Sequence, residues 1–135
     1  MTERDLFEYV SCEREIKRLH DEYLEEERRM STPRTPANNG MPRGSGSDDP
    51  FLAILDRRTH LKDRLEKLVG DRLIAERRLD RAYAVLNTEI QRLVFIELYR
   101  KGKPAREACV TLKYSMPHIY AQRKAILHAI EGLPA

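Results

Sequence analysis

The chain of 135 residues has no tryptophan, and only three phenylalanines and six tyrosines are available to anchor a core. With 35% of the residues charged, that scarcity argues against a large enzyme-like interior and for helices with much solvated surface. Cysteine is nearly absent as well. Cys12 and Cys109 lie far apart with no CxxC and no histidine at ligand spacing, so neither a zinc site nor a disulfide framework is expected, and both read as reduced thiols. No stretch reaches the roughly 18 apolar residues of a membrane span. The opening MTERDLFEYV places acids where a signal peptide needs a basic segment and then an apolar run, so a cytoplasmic location with no membrane partner is expected. Paired catalytic acids, a glycine-rich phosphate loop, a Ser/His/Asp set and a metal cluster are all missing, which leaves no expectation of an enzyme or of a cofactor.

Proline and glycine are scarce except in one place. Residues 31 to 50, STPRTPANNGMPRGSGSDDP, hold four of the seven prolines and three of the six glycines, with almost nothing to fill a core. That composition is a flexible connector. Either side of it reads as helix. Ahead of it, Leu6, Tyr9/Val10, Ile16, Leu19, Tyr23 and Leu24 recur at helical steps on a background of Glu and Arg, which predicts one amphipathic helix over roughly residues 3 to 29.

After the connector, Phe51, Ile54, Arg58, Leu61, Leu65, Leu68, Arg72, Ala75, Leu79, Ala82 and Leu86 follow an unbroken alternation of three and four. Nine of these eleven positions are apolar, so the pattern is a heptad seam. Asp48 or Asp49 serves as N-cap, with Pro50 at the first helical position. The two helices form an antiparallel, coiled-coil-like hairpin over residues 1 to 86, and the second, longer one leaves part of its seam for another partner. Arg58 and Arg72 in the seam call for carboxylates from the first helix or mark the seam's edge. Gly70 is a weak point, costing about 1 kcal/mol against alanine.

From residue 87 the long seam gives way to three short helices. The first carries Ile90, Leu93, Val94 and Leu98 inward and stops at Gly102. The second offers Ala105, Ala108, Cys109 and Leu112 to a crossing helix, and Ser115 opens the third, MPHIYAQRKAILHAI, whose inward stripe is Ile119, Ile126, Leu127 and Ile130. A short helix, a turn of about three residues and a second helix is the layout of a helix-turn-helix. Residues 87 to 135 hold 8 Lys and Arg against 4 Asp and Glu, whereas residues 1 to 30 hold 6 against 10, so a polyanion would be drawn to the C-terminal end. The side chains that would meet double-stranded DNA are Lys103, Arg106, Lys113, Ser115, Met116, His118, Tyr120, Arg123 and Lys124. The competing view is a plain helical cap whose charges are only solvated.

The stretch LVFIELYRKGKPAREACVTLKYSMPHIYAQRKAIL resembles the C-terminal region-four helix-turn-helix of bacterial sigma factors. The whole plan resembles the small phage regulators of the ArpU/RinA type, in outline over residues 1 to 133 and at motif level over 93 to 127. The matching residues are Leu93, Val94, Tyr99, Gly102, Leu112, Tyr114, Ser115, Ile119, Tyr120, Arg123 and Leu127. The resemblance implies a phage or prophage transcription regulator, an activator of late packaging and morphogenesis genes, working in the cytoplasm of a bacterial host.

It also implies that Ser115 starts the recognition helix and that Met116, Pro117, Tyr120 and Ala121 occupy the DNA-reading positions. Sigma factors favour Arg, Glu and Gln there, so the sigma promoter element is not the expected target. Two further departures are Ala105 where an aromatic is frequent and Lys113 where glycine is common. RNA polymerase and a second copy of the chain are the partners expected for the helical arm. A small terminase subunit and a coiled-coil interaction protein without DNA binding are the alternatives.

Overall fold

The computed structural model describes residues 1 to 31 and 50 to 135, and the connector and the caps Asp48 and Asp49 lie outside the described residues. Those described residues are all-α, with five α-helices: α1 (Glu3–Ser31), α2 (Pro50–Ala84), α3 (Glu89–Phe95), α4 (Ala105–Leu112) and α5 (Met116–Ile130). A π-helical turn, Ile96–Arg100, continues α3. Among the described residues no helix is long and apolar enough to cross a membrane.

The start of α1 is a reciprocal cap. The backbone N–H of Thr2 donates to Asp5 Oδ2 at 2.8 Å while Asp5 N–H donates to the Thr2 carbonyl at 3.1 Å. The Thr2 backbone bond holds the Asp5 carboxyl below its usual range. α2 begins on Pro50, as its missing N–H and fixed φ favour.

The chain divides into two compact units, Glu15–Leu68 and Met1–Arg14 with Val69–Ala135. Both boundaries fall inside α1 and α2, whereas the sequence reading separates a hairpin of residues 1 to 86 from a domain of 87 to 135.

Within Glu15–Leu68, α1 and α2 pair antiparallel. Leu19 and Ile54 are buried, and Leu61, Leu65 and Leu68 are half-buried along the expected seam. Polar contacts flank them: Arg64 pairs with Glu15 at 3.3 Å, and Arg58 donates to the Tyr23 hydroxyl at 2.9 Å with its guanidinium 5.0 Å from that ring's centre. The half-buried Arg58 thus answers its charge through an aromatic face and a phenol as well as through Glu27 at 4.0 Å. Leu24, expected on the seam, is exposed.

In the other unit the two helices pair through Arg72 with Glu13 at 3.4 Å and Arg78 with Glu8 at 2.5 Å. This register brings the start of α1 level with the last turn of α2. The apolar side chains at the end of α2 are covered by the C-terminal helices as well: Leu6, Leu79, Ala82, Leu86, Val94, Phe95, Leu98, Tyr99, Ala108, Ile119, Ile126 and Ile130 make one core. That end of the seam is therefore filled by the chain's own residues.

Two glycines behave oppositely. Gly102 follows the π-helical turn with φ +71, and a Cβ there would stand 2.5 Å from Val10 Cγ1. Only glycine accepts both the left-handed backbone and α1 pressed against it. Gly70, mid-helix in α2, has nothing within 4 Å of where its Cβ would be.

Gly102→Ala should cost roughly 2–4 kcal/mol in chemical denaturation, the sum of a positive-φ penalty and an overpacked contact. Adding Val10→Ala should recover part of it; no recovery would locate the cost in the backbone alone. Gly70→Ala should instead raise stability by about 0.5–1 kcal/mol.

Candidate nucleic-acid interface

α4 and α5 are joined by residues 113 to 115. Lys113 closes α4 in the left-handed region, φ 60 and ψ 38. Its N–H bonds back to the Cys109 carbonyl, and the Tyr114 N–H reaches the same oxygen at 3.2 Å. A left-handed residue after the last helical turn is what reverses the chain here, which is why glycine is common at such a position. Ser115 then caps α5: its Oγ accepts from the His118 N–H at 3.3 Å. Pro117 sits in the first turn, where an absent N–H costs nothing.

The two faces of α5 separate cleanly. Ile119, Ile126 and Ile130 are buried, and Leu127 packs partly against the core. Pro117, Tyr120, Ala121 and Lys124, spaced by three and four, are all exposed. On α4, Ala108 is buried and Ala105, Cys109 and Leu112 pack against the core, as the crossing requires. On α3, Val94 and the adjoining Leu98 are buried and Ile90 is partly buried, but Leu93 is 39% exposed.

The expected DNA-facing residues do not share one environment. Arg106, Lys113 and Lys124 are exposed, without a carboxylate partner among the described residues, and Tyr120 is exposed as well. Four others are engaged within the chain. Arg123 makes a two-pronged pair with Glu3, its Nε 3.0 Å from Oε2. Lys103 lies 3.1 Å from Glu97, which also binds Lys101 at 2.8 Å. Met116 folds back to accept from the Cys109 thiol at 3.0 Å. His118 is half-buried, its ring centre 4.8 Å from that of Tyr114 and its Nε2 shielded.

The cationic excess of residues 87 to 135 is correspondingly smaller as a field than as a count. Arg100 is met by Asp80 at 2.9 Å and Glu76 at 3.9 Å, and Arg92 by the Leu86 carbonyl at 3.0 Å. Glu97 itself is buried, and its bond from Lys101, followed by that from Lys103, holds its carboxyl below the usual range. The acids of α1 and α2, remote in sequence, neutralise cations that pattern reading assigns to a polyanion.

Behind Arg123 lies Tyr99, a motif residue whose burial and partner the sequence did not reveal. Tyr99, fully buried, donates its hydroxyl to Glu3 Oε2 at 3.3 Å, and its ring stands 5.4 Å from Phe95 and 5.2 Å from Phe7. The wider π turn lets Glu97, Leu98 and Tyr99 all be buried in succession, which a regular amphipathic stripe would not do. Burial, followed by the Glu3 charge, raises the Tyr99 phenol well above its ordinary range.

Comparison of the chain with protein-family models, with curated proteins and with solved structures gives no match.

Lys113→Gly should stabilise the protein by about 0.5–1 kcal/mol, since relief of left-handed strain exceeds the entropy cost of glycine; a lower melting temperature would show the Lys113 conformation to be unstrained. The raised Tyr99 pKa makes its contribution complete below pH of about 10 and lost as pH climbs through the folded value. Alkaline titration of unfolding should therefore show a falling limb that Tyr99→Phe diminishes.

Proposed function

We propose that the chain is a non-enzymatic, double-stranded-DNA-binding transcription regulator, with α4, its turn and α5 acting as a helix-turn-helix. The observation that carries this reading is the outer surface of α5, where Pro117, Tyr120, Ala121 and Lys124 are free on a helix capped by Ser115. Lys113 in the turn and Arg106 on α4 add unpaired positive charge. Such an assembly suits a major groove: cations and the capped helix start position the phosphates, and Tyr120 offers an apolar edge to thymine methyls.

The resemblance to ArpU/RinA-type regulators supplies the finer part of the proposal, activation of late packaging and morphogenesis genes in a phage or prophage. The helical arm is then the part that docks onto RNA polymerase or onto a second copy. Val69, Leu73 and Ile74, each about half exposed on α2, favour such a contact.

The test is a titration of fluorescent duplexes from the protein's genomic neighbourhood, with salt varied and random duplex as competitor. Tight binding to one fragment that survives competition is the expected result. Weak binding to every fragment that vanishes with salt would leave only a non-specific basic surface. Each of Lys113→Ala and Lys124→Ala should flatten the logarithmic salt slope by about 0.9, as for one lost phosphate contact. Arg123→Ala should chiefly lower stability, because its guanidinium is held by Glu3; a slope change equal to that of Lys124→Ala would show that the pair opens on DNA.

A further inference from the structure

α1, the turn after α3 and α5 enclose a cleft of about 480 Å³ whose lining includes Phe7, Arg14, Lys103, Tyr120, Arg123 and Glu3. Its size lies within the range of small-molecule sites. Three cations and one carboxylate line it, so its local charge favours an anion. Glu3 already illustrates the chemistry the floor accepts: its carboxylate takes two bonds from Arg123 and one from the Tyr99 hydroxyl.

Arg14 is the cation left over. It is exposed and donates only to the neutral Gly102 carbonyl, at 3.3 Å, with no carboxylate partner among the described residues. That bond also fixes where its guanidinium stands, so less freedom is lost when an anion arrives. At the same cleft two aromatic rings remain open to solvent, Phe7 at 43% and Tyr120 at 49% exposure. Phe7 leans on the buried Tyr99 ring, which keeps one of those surfaces in place.

We propose that this cleft binds a small ligand that joins a planar aromatic ring to a phosphate or carboxylate. The anion is received by Arg14, and the ring packs on Phe7 or Tyr120. The inference is separable from the DNA-binding reading through Arg14, Phe7 and Glu3, which play no part in that reading, although Tyr120 is common to both.

The experiment titrates the full chain with phenyl phosphate and with benzoate, and with inorganic phosphate and phenol as half-ligands, following the tyrosine and phenylalanine ring signals by NMR. Saturable shifts with phenyl phosphate or benzoate are expected, with each half-ligand weaker by about tenfold or more, as for loss of one charge-assisted bond or one stacked ring. Arg14→Gln and Tyr120→Ala, both at exposed positions, should each weaken the whole ligand by a similar factor while the melting temperature stays close to that of the unaltered chain. Glu3→Gln should tighten it, because the competing carboxylate is gone. No saturable shift with either ligand would overturn the proposal. So would equal affinity for inorganic phosphate and phenyl phosphate together with indifference to Arg14→Gln, which would mark a diffuse charge effect. Duplex titration of the same Arg14→Gln variant separates the two readings, since unchanged DNA binding beside lost ligand binding is expected.

Discussion

The structure depends on a shortage of partner surface along α2. The register set by Glu8 with Arg78 and Glu13 with Arg72 brings the first turn of α1 level with the last turns of α2, and α1 alone leaves part of the apolar surface at Leu79, Ala82 and Leu86 to be covered. Burial of apolar area is the dominant favourable term, and an uncovered seam end would forfeit it. The three short helices after residue 87 supply what α1 cannot, which makes Leu6 a member of the same core as Ile119, Ile126 and Ile130. A small chain with no tryptophan has few other ways to gather enough interior.

That arrangement has an electrostatic consequence. Once the acidic start of α1 lies beside the basic C-terminal helices, opposite charges meet. Glu3 takes Arg123, and the acids of α2 take Arg100. Pairs open to water, such as Arg100 with Asp80, contribute little to stability, whereas the Glu3 pair is joined to the buried Tyr99. Their larger effect is on availability, since a guanidinium bound at two points by a carboxylate is a poorer phosphate contact than a free lysine. Of the cations that the sequence assigns to a polyanion, Arg106, Lys113 and Lys124 stay exposed and without a carboxylate partner among the described residues.

Gly102 ties these layers together. Its left-handed turn ends the π segment, lets Val10 approach, and leaves its carbonyl for Arg14. Backbone geometry, core packing and the charge lining of the neighbouring cleft thus meet at one residue without a side chain. Lys113 solves a similar turn at the end of α4 with a side chain retained, at the cost of a strained backbone.

Helices and their inward stripes were legible in the sequence because both follow from local periodicity. The alternation from Ile54 to Leu86 marked the seam of α2, Ser115 marked the start of α5, and Ile119, Ile126 and Ile130 marked its buried face. Nothing local could place Glu3 beside Arg123, 120 residues away, and helical periodicity by itself did not show Met116 turned onto Cys109 or Lys103 held by Glu97 across their turns. The π turn that carries Tyr99 inward was equally hidden, since it departs from the regular helical period. Periodicity by itself determined which elements form and which face each one buries. Only tertiary structure decided which cations stay free and which rings line a cleft, because a charge is answered by whatever folding brings near it.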